Sequence, residues 1–407
     1  MLLTVSKRLE FSASRRLFVP DWSDQENLIA FGPETRARYG TGRNYVAYFV
    51  FTGPVNRATG MLINISKIKE RAGEVVTKKF DHKFLNEQNP AFRGGAAGAP
   101  TAENIARQLY IEVAPLFSDV EASLCACHLS ETWQRSATFY ANGACDANYG
   151  FDFSAARRTM SPHLSEEQNR QAFGDATEPH GHHYRVRLSF RAESFSGESL
   201  LVRHDEIELA LSSLRSELDH RFLNEIPALK DRPITTESLA EYLFERVKAS
   251  LPSLHRVRLH ERDDFFAEAW KDESVFLGMG IGFEAAHRLH AAGLSEAENA
   301  QLYGKCNNPL GHGHSYFTET TVGGEYDARS GTLFDFFKLR HAIEASLEPW
   351  RDRHLDLETE DFRENPSTGE NIVRALWPKI DHRVGQRLVR LRLWETPNNR
   401  FTLRRTL

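Results

Sequence analysis

The 407-residue chain has few sulfur atoms, with four cysteines and four methionines. Cys125-Ala-Cys127 lies in ASLCACHLSE, where alternation reads as one face of a strand and not as a CxxC redox or zinc motif, which argues against a disulfide scaffold. No stretch approaches the roughly 20 apolar residues of a membrane helix, and the opening MLLTVSKRLEF lacks the apolar core of a signal peptide. The expectation is a cytoplasmic protein with no membrane partner. A block of one charge is missing too: 51 Lys plus Arg stand against 56 Asp plus Glu, net −5, with no basic run to track a phosphate backbone. Nucleic acid is therefore not an expected partner.

The length is two to four times that of a typical domain, and the chain repeats itself. FSASRRL at Phe11, FSAARRT at Phe153 and FEAAHRL at Phe283 align. So do FDHKFLNE at Phe80, LDHRFLNE at Leu218 and, more weakly, DRHLDLET at Asp352. HLSETWQRS, LHERDDFF and LWETPNNRF put Glu131, Glu261 and Glu395 at equivalent places, about 130 residues apart. The repeats are read as 1–138, 139–269 and 270–407, with short linkers near 136–148 and 264–275; the Gly/Ala-rich FRGGAAGAP at 92–100 is the most flexible-looking segment.

Within the third repeat the pattern predicts strands over 274–289 and 312–327, helices at FFKLRHAIEASLEP and GENIVRALWPKI, and a closing hairpin turning at Pro397-Asn398-Asn399. Ser367-Thr-Gly-Glu370 fits a capping box opening the second helix; contact with substrate is the alternative role for Thr368 and Glu370. Residues two apart on a strand share a face, so His312 and His314 converge, and His287 at the end of the neighbouring strand is the third candidate. Three imidazoles leave one tetrahedral position open, the pattern of a catalytic Zn2+. Cys306 supplies a thiol beside it.

FEAAHRL, LSEAENAQLYGKCNNPLGHGHSY, SGTLFDFFKLR, STGENIV and LWETPNNRF, in order over 283–401, resemble the 6-pyruvoyl tetrahydropterin synthase / 6-carboxytetrahydropterin synthase family. Five residues between Cys306 and His312 match the pyruvoyl branch; the carboxy branch typically has a shorter gap. The resemblance implies an α+β tunnelling fold: three ββααββ units closing a twelve-stranded antiparallel barrel with helices outside, here a pseudo-trimer in one chain. It implies a small-molecule pterin substrate, 7,8-dihydroneopterin triphosphate, and a lyase that eliminates triphosphate. Zinc would act on the side-chain hydroxyls, Cys306 would move the proton and Glu395 would anchor the pterin. It further implies two rings face to face, hence a homodimer.

The repeats are not equivalent. The place of His287 holds Arg157 in the second and Arg15 in the first; that of Cys306 holds Ala176 and Glu34. The second keeps His180 and His182, whereas the first has Thr41 and Arg43, so only the third can hold zinc. The Asp-His pair by which the family polarises its cysteine survives as Asp81-His82 and Asp219-His220, while the third repeat keeps His354 with Arg353 where the aspartate belongs. Cys306 is therefore expected to use a pair from another repeat, or His354 alone, and Arg15, Arg157 or Lys305 to help with triphosphate. Two other functions stay open: a carboxytetrahydropterin-type or other pterin side-chain lyase, and a non-catalytic pterin-binding scaffold.

Overall fold

A computed structural model describes residues 1–93, 98–197 and 200–406. Positions 94–97 of FRGGAAGAP, where flexibility was expected, lie outside them.

Each repeat begins with a long two-stranded ribbon: Leu2–Arg15 with Thr41–Thr52, Cys145–Arg157 with His180–Ala192, and Val275–His287 with His312–Val322. β-branched and aromatic residues alternate along these strands, and one face packs against helices. At each ribbon's centre an aromatic pair stacks across the strands: Phe11 on Tyr45, Phe153 on Tyr184 and Phe283 on Tyr316, with ring centroids 4.9, 4.8 and 5.0 Å apart. The same pair at one register fixes the same hairpin three times. Two shorter strands complete each repeat, in the third Leu388–Thr396 and Asn399–Arg404, whose turn falls at Pro397-Asn398 as the sequence predicts.

Twelve strands close into one antiparallel barrel. Arg135–Tyr140 pairs with Cys145–Arg157, Phe265–Trp270 with Val275–His287, and the closure comes where Leu2–Arg15 meets Asn399–Arg404. The repeats part at the turns 141–144 and 271–274, a few residues beyond 138 and 269, because the last strand of each is one arm of the boundary hairpin.

Two main helices pack on each repeat's sheet. In the third, Phe336–Leu347 buries Leu339, Ala342, Ile343 and Leu347, and Gly369–Arg383 buries Ile372, Val373, Leu376, Trp377 and Ile380, an i, i+3/i+4 stripe. The N-cap of the latter is Thr368, which accepts from Asn371 N–H, not Ser367. The expected capping box does not form, because Glu370 turns away to another repeat. A short helix after each first strand was not expected: Asp24–Phe31, Glu166–Phe173 and Glu296–Tyr303. Ser23 with Glu26, Ser165 with Gln168 and Ser295 with Glu298 form capping boxes there. Among the described residues no helix is long and apolar enough to cross a membrane.

Candidate metal and substrate site

Strand register builds the triad. His287 lies directly opposite His312 and Ala285 opposite His314, so the three imidazoles share one face. His287 Nε2 is 3.2 Å from His312 Nε2, and ligand atoms of all three lie within 4.8 Å of one another. Zinc–nitrogen bonds of about 2.0–2.1 Å at a tetrahedral angle separate two nitrogens by about 3.3 Å, so the closest pair fits that ion. His287 is fully buried and its Nδ1 faces the Ser367 carbonyl at 3.1 Å; a proton placed there leaves Nε2 free as a donor to metal. His312 has a buried Nδ1 without a partner among the described residues, and burial together with its two neighbouring imidazoles lowers its pKa to about 4. An imidazole kept neutral in this way is ready to ligate.

Sequence reasoning missed what holds His287. Asp356 Oδ2 accepts Arg288 N–H at 2.8 Å and the Ser367 hydroxyl at 2.8 Å, and Oδ1 accepts Ser367 N–H at 3.3 Å. The chain Asp356–Ser367–His287 orients the ring. A signal was present, since Asn86 and Asn224 hold Arg16 N–H and Arg158 N–H at the equivalent places.

One carboxylate flanks the histidines. Glu395 Oε1 lies 3.8 Å from His287 Nε2 and 4.0 Å from His314 Nε2. Glu370 is buried, and its Oε1 accepts Leu62 N–H, from the first repeat, at 2.9 Å. Burial, more than any other cause, lifts the Glu370 carboxyl to about 7. Thr368, named with it as a substrate contact, spends its hydroxyl on the Asn371 cap and on Gly60 O at 2.7 Å. The site therefore sits on the seam between the third and first repeats.

Cys306 is half-buried, and its thiol is pushed up by burial and by Glu395, with Lys305 opposing. Among the described residues no hydrogen bond or ion pair joins it to a histidine or to either Asp-His pair. Asp81 takes Ser12 N–H at 2.9 Å and lies 2.9 Å from His82 Nδ1; Asp219 takes Ser154 N–H at 2.9 Å and lies 3.0 Å from His220 Nδ1. Both histidine side chains are over four-fifths exposed, at 82% and 83%.

The third repeat's counterpart of these pairs needs correction. Lys83 pairs with Ala13, Arg221 with Ala155 and Arg353 with Ala285, and positive φ recurs at His82, His220 and Asp352. Arg351-Asp352 thus replaces the Asp-His pair, and His354 answers to Phe84 and Phe222. The weak motif DRHLDLET had suggested a register two residues off. His354 lies beneath Gly311, where an added Cβ would come within 2.4 Å of its Nε2.

The other two repeats fill the equivalent place with arginine, in the register the sequence predicts: Arg15 opposite Thr41 and Arg157 opposite His180. Arg15 is bound by Glu131 and Arg157 by Glu261, each inside its own repeat.

The family model for 6-pyruvoyl tetrahydropterin synthase matches residues 4–142, 148–272 and 279–406. A 6-pyruvoyl tetrahydrobiopterin synthase of Drosophila melanogaster is 40% identical over 133 residues, 32% of this chain and 79% of the relative. The one of Homo sapiens is 38% identical over 122 residues, 29% of this chain and 83% of the relative. The solved 6-pyruvoyl tetrahydropterin synthase of Caenorhabditis elegans is 36% identical, covering 33% of this chain and 96% of its own, with a TM-score of 0.32. With its three barrel segments each matched in turn, the chain belongs to the 6-pyruvoyl tetrahydropterin synthase family.

Proposed function

We propose that the third repeat is a zinc-dependent 6-pyruvoyl tetrahydropterin synthase that acts on 7,8-dihydroneopterin triphosphate and eliminates triphosphate. The observation that carries this reading is the convergence of His287, His312 and His314 within 4.8 Å, with Glu395 and Cys306 beside them. Zinc, held by the three imidazoles, would supply Lewis acidity toward the substrate's side-chain hydroxyls.

The chain's own residues do the rest. Glu370 and Glu395 present carboxylates to the amino-pyrimidine edge of the pterin, a donor-rich edge that a buried carboxylate can accept. Leu62 fixes Glu370, so the first repeat helps orient substrate for the third. The reaction needs no external redox partner: triphosphate leaves from the far end of the side chain as the carbon next to that end loses a proton, and the carbon beside the ring loses a proton whose electron pair reduces the ring C=N. Cys306 as thiolate takes that proton. Since burial and Glu395 disfavour the thiolate, Cys306 needs a base. The exposed Asp81-His82 and Asp219-His220 pairs suit that role if a second chain stacks its ring on this one, which is the homodimer that the family resemblance implies.

Turnover of dihydroneopterin triphosphate, with products identified by mass spectrometry and zinc measured in the same preparation, tests the proposal. Wild type should release triphosphate and Cys306→Ala should not. A zinc-loaded wild-type protein that leaves the substrate intact would overturn it.

A further inference from the structure

The three repeats finish one and the same place in three ways. In the first, Arg15 is saturated: Nη2 meets Glu131 Oε1 and Oε2 at 2.8 and 2.7 Å, Nε meets the Tyr45 hydroxyl at 3.0 Å, and Nη1 meets Glu34 at 3.0 Å. The third has its imidazoles. In the second, Arg157 is only 3% exposed, yet among the described residues the one group it engages is Glu261, through Nη2 at 2.5 Å. Its Nε and Nη1 are buried without a partner among the described residues. Buried guanidinium donors left unpaired are costly, and an acceptor that reaches them is bound strongly.

Arg157 borders a cavity of about 1110 Å³ on the seam between the second and third repeats. Phe173, Phe265 and Phe336 give it apolar walls, which suits a flat ligand. On the same cavity Glu237 is buried, and its Oε1 accepts Leu333 N–H, from the third repeat, at 3.1 Å. This repeats the relation of Glu370 to Leu62.

We propose that this cavity is a second ligand site, independent of metal, for a planar heterocycle with a 2-amino-4-oxopyrimidine edge, its N–H donors on Glu237 and an acceptor group on Arg157. The class of heterocycle rests on the role given to Glu370 above; the existence of the site rests on the cavity and the unpaired arginine. A cation is the competing occupant, because ligand atoms of His180, His182 and Glu261 lie within 4.8 Å of one another. Glu261 is already engaged, with Oε2 shared by Arg157 and the Thr236 hydroxyl, and a guanidinium in that shell repels a dication.

The edge occurs in pterins and in guanine, so the probes are neopterin and guanosine. They are titrated calorimetrically into chelator-treated full-length Glu370→Gln, whose third-repeat carboxamide turns an N–H donor toward the ligand's own donors. One site per chain is expected, for neopterin, guanosine or both, and the probe that binds identifies the source. Arg157→Leu in that background should weaken binding about tenfold or more. If Arg157→Leu fails to melt cooperatively, Arg157→Lys, which keeps the charge but lacks the two free donors, should weaken binding likewise. Absence of binding by both probes overturns the proposal, as does affinity unchanged by the arginine substitutions. So does a full equivalent of zinc retained by the His312→Ala/His314→Ala chain. Wild-type turnover, measured separately, decides the third repeat's function and leaves this result standing.

Discussion

The Glu370 carboxylate of the third repeat accepts the backbone hydrogen of Leu62 in the first, 2.9 Å away across a seam of the barrel. Glu237 and Leu333 make the same bond across the next seam, at 3.1 Å. A buried acid thus tests whether a neighbouring repeat is in place, so these pockets depend on the closed ring and not on a repeat alone.

The acid should register in stability. Its folded pKa of about 7 lies above the ordinary 4.5, so between those values the native state binds more protons than the unfolded chain. This contribution is whole below pH 4.5 and is lost as pH rises through 7. Glu370→Gln, which stays neutral, should therefore gain stability relative to wild type between pH 5 and pH 8, by on the order of 3 kcal/mol. Denaturant unfolding of both chains at the two pH values measures it; parallel curves would mean that burial does not raise the Glu370 carboxyl.

Metal content should follow the register of one ribbon. About one zinc per chain is expected, and His312→Ala or His287→Ala should remove it, read by elemental analysis. Asp356→Asn should keep the fold, because asparagine serves at this place in the other repeats, yet it loses one of the acceptors that fix Ser367. Zinc affinity should fall by roughly 10–100-fold, the usual effect of losing a group that orients a ligand.

The sequence made the ribbons, the triplication and the histidine triad legible, because period-two alternation and a His-Gly-His triplet speak directly about one strand face. It could not show Leu62 reaching Glu370, since that contact spans 308 residues and involves a backbone hydrogen. The Asp352 turn was misread for a related reason. What marks the equivalence of His82, His220 and Asp352 is a left-handed backbone and a bond from each N–H to the first strand, at Ser12, Ser154 and Glu284, none of which is written in side-chain identity.

Cys306 separates two effects of one carboxylate. Burial raises the thiol, and Glu395 raises it further. Glu395→Gln should therefore speed iodoacetamide alkylation of Cys306 at neutral pH while lowering turnover, since the proposed function gives the same carboxylate a contact with the substrate. Alkylation slowed by the substitution would show that Glu395 does not face the thiol.

Inside the barrel, charge crosses the seam between the second and third repeats. The fully buried Glu268 side chain accepts from Arg390 Nη2 at 2.8 Å and from Arg258 Nη1 at 3.2 Å. Arg258 also reaches Glu319 at 2.6 Å, and Glu319 takes Arg392 at 2.7 Å. Three arginines from two repeats thus share two carboxylates. Glu268→Gln keeps the shape but leaves three guanidinium charges beside a single glutamate, and removing one partner of a buried pair costs about 3–5 kcal/mol. The loss should appear in equilibrium unfolding and should be relieved in part by Glu268→Gln combined with Arg390→Met, which restores the charge balance. If the double variant were as unstable as the sum of its single changes, Glu268 and Arg390 would be energetically independent and the seam would be held by packing alone.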